Sequence, residues 1–373
     1  MAAKRDISTE ALAERLARAP GFAEARAAAE RAGIEARLIG GAVRDALLGR
    51  RIDNLDLVVE GEPAQLIAEL GGDALVHERF GTATVELAGG AVDVAAARTE
   101  SYPHPGALPE VEPASFADDI GRRDFTVNAI AVALDAPGEL LDPLDGLGDL
   151  GAGLLRVLHP GSFADDPTRA LRAARYAARL GFELEPRTLE LIRATDLSTI
   201  SAERRAAELG RLAAEPAARR GFELLAGWGL LHLAPGGGQL IDRLDDLLAR
   251  PPWAGEAPRP AAVLAAVRGP TPEVVELAGL EPGSPSRAVA AARGRSGVEL
   301  ALARALGAAW LDDYVGEWRA VALEISGEDL IEAGIERGPA VGRGLGAALR
   351  AKLDGETEGR DDELRIALSA ARS

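Results

Sequence analysis

Apolar positions return every three to four residues over 8–18 and 22–32, with Leu12 and Leu16 on one face, so two amphipathic helices open the chain. Ser8 is placed to cap the first. The pattern then changes. Ala36–Ile39 is a short run that reads as a strand, Gly40-Gly41 makes a tight turn, and Ala42–Leu48 reads as a helix ended by Gly49. Leu55–Val59 is a second strand and Pro63–Leu70 a helix with proline in its first turn. The runs Ala74–Val76, Ala83–Leu87 and Val92–Ala96, parted by Gly81 and Gly89-Gly90, complete a small mixed sheet. The proline-rich stretch Thr99–Pro109 reads as loop and Phe125–Leu134 as helix. Beyond residue 150 the pattern is helical, broken at Pro235–Gly238, Pro251-Pro252 and Gly269–Pro272. The expected class is α+β, with the small mixed sheet first and helices after it.

Two strands carry acids inside apolar runs. Asp56 lies in the second strand, and Asp93 sits between Val92 and Val94 on the opposite face from both valines. An isolated strand acid is usually just a solvated polar position. A Gly-Gly turn alone is usually just a turn. The order is what matters here: glycine turn, Arg44-Asp45, then a carboxylate on the next strand. A turn that frees backbone N–H groups at a helix start suits phosphate, and a carboxylate opposite suits a divalent cation. Together they are the minimum equipment for nucleotidyl transfer.

Composition narrows the options. The 373 residues suffice for two or more domains, and aromatics make up only 4%, so the cores must be aliphatic. Without cysteine there is neither disulfide nor thiolate metal site, and His77, His104, His159 and His232 show no metal-ligand spacing. No apolar run suggests a signal peptide or a membrane span, so the cytoplasm is expected. A net charge of −17 opposes a general nucleic-acid coat protein, so any RNA reading needs a locally basic face. Arg169, Arg172, Arg175 and Arg179, spaced by three, three and four, make one such stripe on a helix, with no acid interrupting that stretch.

The run Gly40-Gly41-Ala-Val-Arg44-Asp45, with the Leu55-Asp56 strand, resembles the head of the class II tRNA nucleotidyltransferase and poly(A) polymerase family, in the polymerase-beta-like nucleotidyltransferase superfamily. Asp119–Ala129 matches that family's Arg-Arg-Asp-Phe-Thr-x-Asn-Ala signature. Leu141–Leu150 fits the hinge leaving the head, and Asp165-Asp166-Pro-Thr-Arg169 resembles Glu-Asp-x-x-Arg, with Asp for Glu. Ser201–Leu209 resembles the neck helix and Ser326–Pro339 the tail; Leu230–Val321 carries no matching motif. The resemblance implies a nucleotidyltransferase head over 1–150, a neck over 151–215 that recognises base and RNA backbone, and a helical body and tail over 216–373 that bind tRNA. It implies Asp56 and Asp93 as catalytic Mg²⁺ ligands. Gly40, Gly41, Arg44 and Asp45 would lie at the triphosphate, with Arg123, Asp124 and Asn128 at the ribose edge or bracing the loop. Asp166 and Arg169 would read the base, and Arg172 and Arg175 would also bind nucleotide. The reaction implied is addition of CMP or AMP from CTP or ATP to a tRNA 3′ end, with pyrophosphate released. CCA-, CC-, A- and poly(A)-adding enzymes share these motifs.

One position departs from the pattern. The family's acid–x–acid triplet is here Asn54-Leu55-Asp56. An amide offers a neutral oxygen, a weaker ligand for a hard cation. Asn54 could serve in a weakened two-metal site. Adjacent Asp53 could replace it through a bulge. Or the chain could be an impaired paralogue that binds nucleotide and RNA without catalysis.

Overall fold

The structure, a computed structural model, describes residues 9, 11–77, 81–87 and 89–373. The chain forms two compact units, one of residues up to 217 with 224–231, the other of 218–223 with 232–373.

The first unit opens with α1 (Leu12–Ala17) and α2 (Phe22–Ala32). The proposed cap Ser8 lies outside the described residues. A seven-stranded mixed sheet follows, ordered β3-β4-β5-β2-β1-β8-β9, where β1 is Ala36–Ile39, β2 Leu55–Val59, β3 Asp73–His77, β4 Thr82–Leu87, β5 Gly90–Ala96, β8 Ala131–Ala133 and β9 Leu140–Leu141. Gly40, at φ 80°, turns β1 into α3 (Gly41–Leu47), a backbone conformation that side chains other than glycine's resist. α4 (Ala64–Leu70) crosses from β2 to β3. Leu38, Leu55, Val59, Val92 and Val94 are fully buried, so the middle of the sheet is the core of this unit.

Two expectations fail here. Phe125–Leu134 is no helix. After α5 (Phe116–Gly121) comes a single 3₁₀ turn, Thr126–Asn128, and then β8, antiparallel to β1 with Leu38 opposite Val132. Residues 129–134 are all buried, so the segment has no polar face. A helix there would have one, whereas a strand covered on both faces reads as an uninterrupted apolar run. The proline-rich loop is also shorter than expected. β6 (Arg98–Ser101) pairs with β7 (Glu110–Pro113) as a separate antiparallel ribbon, leaving 102–109 as the loop.

α6 (Gly146–Ala152) begins where Asp142 accepts from the Gly146 and Leu147 amides at 2.7 and 2.9 Å. Short strands β10 (Leu154–Leu155) and β11 (Glu183–Leu184) pair in parallel around α7 (Ser162–Asp165) and α8 (Thr168–Leu180). α9 (Pro186–Arg193) and α10 (Ala202–Ala214) follow, with Ser201 Oγ accepting from the Arg204 amide at 3.3 Å as N-cap.

The second unit is built of helices. Its last three, Gly327–Glu332, Pro339–Leu353 and Arg360–Arg372, close around Leu330, Ala348 and Ala367. Gly344 permits this approach, because a Cβ there would meet the Ala367 carbonyl at 2.6 Å.

Candidate active site

Asp56 and Asp93 are Cα partners in the parallel β2–β5 ladder, so their side chains leave the same face side by side. Asp93 accepts from Thr84 Oγ1 of β4 at 2.5 Å. The glycine turn lies against the pair. A Cβ on Gly40 would stand 3.6 Å from Asp56 Oδ2, and one on Gly41 3.9 Å. Bare backbone therefore borders the acids. Burial pushes the Asp56 carboxyl above its ordinary value, and Asp93 adds to the shift, although Arg123 opposes it. Asn54 is exposed, two residues upstream where β2 has not begun. It lines a cavity of about 290 Å³ with Asp45, Asp53, Asp56 and Asp93. Asp53 is exposed too and pairs with Arg51 at 2.9 Å.

The two carboxylates and the open backbone beside them fit a hard divalent cation. Among the described residues no group of three or more His, Cys, Asp or Glu is placed to hold one. Further ligands would thus come from water and substrate phosphate, which suits Mg²⁺.

Behind the acids runs a chain of hydrogen bonds. Arg44 is buried and gives Nε and Nη2 to Asp45 at 3.0 and 2.7 Å and Nη1 to Asn128 Oδ1 at 2.6 Å. Asn128 Nδ2 donates to Asp124 Oδ1 at 3.0 Å, and Arg172 clamps Asp124 Oδ2 at 2.9 and 2.6 Å. Burial alone would raise the Asp124 carboxyl, but Arg172 and the hydrogen bonds outweigh it and hold it at about 2. Arg44, Asp45, Asp124 and Asn128 thus spend their hydrogen bonds on one another. Arg123 does not. Its Nη2 donates to buried Asp119 at 3.0 Å, its Nη1 would stand 3.3 Å from a Gly40 Cβ, and its Nε is buried without a partner.

Asp166 lies between α7 and α8. Its Oδ1 accepts from the Thr168 amide and hydroxyl at 3.0 and 2.6 Å and from Arg204 Nη2 at 2.8 Å. Arg169, one turn on, is buried, with Nη1 on Ser162 Oγ and Nη2 on the Arg122 carbonyl at 2.6 Å. Asp166 and Arg169 line a cavity of about 600 Å³ that Gly40, Asp56 and Asp93 also line. Sequence-distant groups, the glycine turn, both sheet acids, the Arg-Arg-Asp motif and the start of α8, therefore share one space.

The arginine stripe of α8 is not the bare basic face its spacing suggests. Arg179 gives Nε and Nη2 to Glu215, each at 2.9 Å, and Arg175 stands 3.6 Å from Glu208 and 3.9 Å from Glu215. Tyr176 is enclosed by the guanidinium groups of Arg175, Arg44 and Arg172 at 4.8, 5.4 and 5.5 Å from its ring centroid. The acids across from the stripe, together with Asp119, Thr84 and Tyr176, escaped the sequence reading. Glu208 and Glu215, seven apart, were open to the test of helical spacing.

Comparison with known proteins finds relatives of nearly the whole chain and of its parts. Residues 36–156 match the Poly A polymerase head domain, and residues 181–236 match the probable RNA and SrmB-binding site of polymerase A. The CC-adding tRNA nucleotidyltransferase of Deinococcus radiodurans is 37% identical over 352 residues, 90% of this chain and 89% of that protein. The chain belongs to the tRNA nucleotidyltransferase and poly(A) polymerase family. An A-adding family member from Aquifex aeolicus is 45% identical over 166 residues, but the match covers 43% of this chain and only 20% of that protein. In fold, the chain is similar to the Thermotoga maritima CCA-adding enzyme complexed with tRNA, at TM-score 0.74 and 25% identity over 99% of both chains.

Proposed function

We propose that this family member is a template-independent tRNA nucleotidyltransferase. An RNA 3′-hydroxyl attacks the α-phosphate of CTP or ATP, a phosphodiester bond forms, and pyrophosphate leaves with the electrons of the broken P–O bond. The observation that carries the reading is the cavity that Asp56 and Asp93 line together with Asp166 and Arg169. Asp56 and Asp93 would hold Mg²⁺, which would supply Lewis-acid activation of the phosphate and of the attacking hydroxyl. The bare Gly40-Gly41 backbone and Arg123, which has donors to spare, receive triphosphate oxygens. Asp166 accepts from the base edge and Arg169 donates to it, so the protein does the work of a template. Residues 1–150 act as the head, 151–215 as the neck, and 216–373 as a body and tail that bind tRNA. The near full-length likeness to a CC-adding relative favours CMP as the nucleotide added first.

A second reading, a binding protein without catalysis, is favoured by Asn54 alone. One experiment separates them. The purified chain is incubated with Mg²⁺, labelled CTP or labelled ATP, and tRNAs trimmed to end before each position of the CCA terminus. Label appearing in tRNA supports the proposal, and the acceptor it enters names the product. Binding of every tRNA with no label transferred leaves the second reading.

A further inference from the structure

The 600 Å³ cavity has groups for the edge of a base, for phosphate and for a cation. A base also has two flat faces, and hydrogen bonds along its edge do not shield those from water. Across single-stranded nucleic-acid sites, an aromatic ring is the common answer. The chain is poor in aromatics, at 4%, which makes those at the cavity informative. Its wall holds two, Tyr102 and Tyr176. Tyr176 is buried, hemmed in by three guanidinium groups, and met edge-on by Phe125 at 6.0 Å. It has no face to offer. Tyr102 is half-buried at the cavity wall.

Tyr102 is also held firmly. Its hydroxyl donates to Glu100 Oε2 at 2.8 Å. Glu100 Oε1 in turn accepts from Arg98 at 3.0 Å and from Arg122 at 2.7 Å. Burial and the Glu100 charge push the phenol's pKa up, so it stays a donor. The loop beyond is docked. Gly106 packs so closely that a Cβ would meet the Thr199 carbonyl at 2.5 Å, and the Gly106 carbonyl accepts from Arg204 Nη1 at 2.8 Å. Arg204 Nη2 holds Asp166 at 2.8 Å. A single side chain therefore fixes both an edge-reading acid and the loop that carries Tyr102.

We infer that Tyr102 supplies the face against which the base of the incoming nucleotide stacks, while Asp166 and Arg169 read its edge. This rests on the proposed nucleotidyl transfer. It also gives the proline-rich loop a task, which is to hold an aromatic ring in register with the base reader. Stacking is tolerant of base identity because every base has a π-face. Tyr102 therefore sets nucleotide affinity and leaves the choice between bases to Asp166 and Arg169.

The test is direct binding of MgATP and of magnesium tripolyphosphate to the full chain, which needs neither tRNA nor turnover. Tyr102→Leu should weaken MgATP by roughly tenfold, the scale of losing one base–aromatic stack, and leave tripolyphosphate unchanged. Tyr102→Phe and Tyr102→Trp should keep MgATP within about twofold of the original. Tyr102→Gln serves in place of the leucine variant if that one fails to fold. Unchanged MgATP affinity in the leucine variant would overturn the inference. So would an equal loss for tripolyphosphate, which would make Tyr102 scaffold. A chain that binds MgATP through Tyr102 yet extends no tRNA would refute the addition reading and leave this one standing.

Discussion

The sheet end that carries Asp56 and Asp93 and the helix face that carries Arg172, Arg175 and Arg179 are both dense in charge, but the charges are kept in opposite conditions. On the helix face, opposite charge comes from elsewhere in the unit. Asp124 meets Arg172, Glu208 and Glu215 stand near Arg175, and Glu215 also holds Arg179. On the sheet end two carboxylates stand side by side, and burial and their mutual repulsion push the Asp56 carboxyl up. A buried guanidinium nitrogen without a hydrogen-bond partner lies here as well. Of the four such atoms among the described residues, Arg123 Nε lies against the glycine turn, whereas Arg175 Nε and Glu208 Oε2 lie on the helix face, where their opposite charges stand 3.6 Å apart. Compensated charge builds a frame, while charge left uncompensated at a stability cost marks where a ligand is to come.

The comparison breaks most visibly at Asp93. Asp93→Ala should lower nucleotide addition by at least about a thousandfold, roughly 4 kcal/mol of barrier, and leave thermal stability nearly unchanged. A variant that melts early but keeps its rate would make Asp93 part of the frame. The opposite result is expected at Asp124, whose removal strands the Arg172 guanidinium. Asp124→Ala should cost about 3 kcal/mol in urea unfolding. Because the folded Asp124 pKa is depressed, its stabilisation is complete above the ordinary aspartate value of about 4 and fades as pH falls through about 2. The stability difference between original and variant should therefore shrink over that window, which a pH series of melts would show.

Asn54 sharpens the sheet side of the comparison. Asn54→Asp would add a carboxylate to the cavity that Asp56 and Asp93 line with Asp45 and Asp53. A full charge with two oxygens binds a hard cation better than one amide oxygen. Turnover should rise by one or two tenfold steps, about 1.4 kcal/mol each, and apparent Mg²⁺ affinity should tighten. No change in the variant, with activity lost in Asp53→Ala, would make Asp53 the working ligand. The smallest effect is expected on the helix face. Arg179 is 42% exposed and paired with Glu215, so Arg179→Ala should cost less than about 1 kcal/mol. It should also barely alter the salt dependence of tRNA binding. A marked fall in the salt slope would show that Arg179 leaves Glu215 for RNA phosphate.

The same contrast explains what could be read in the sequence. The glycine turn and Asp56 drew notice through their order along the chain, and Asp93, a strand acid between two valines, through the family resemblance. Asp166 and Arg169 were found through a signature. The compensating acids were passed over, because Glu208 in α10 and Glu215 at its C-terminal cap look like ordinary helix acids in sequence, and their burial and partners are set by how α8 and α10 pack. The helix expected over 125–134 failed for a related reason. An apolar run gives no period to measure when both faces are covered, and only the neighbours β1 and β9 make it a strand.

The most direct test is a pair of readings on one protein, Asp56→Asn. The folded Asp56 pKa is raised, so the folded state binds the proton more tightly than the unfolded state does. Stability contributed by that proton is present below the ordinary aspartate value and lost as pH rises through the raised one. At pH 7.5 the native chain carries the cost of an ionised Asp56, and the amide does not. The account predicts that Asp56→Asn melts at a higher temperature than the original at pH 7.5, that the gain disappears toward pH 4, and that no nucleotide is added to any trimmed tRNA. A variant that melts lower at pH 7.5, or one that still extends tRNA, would contradict it.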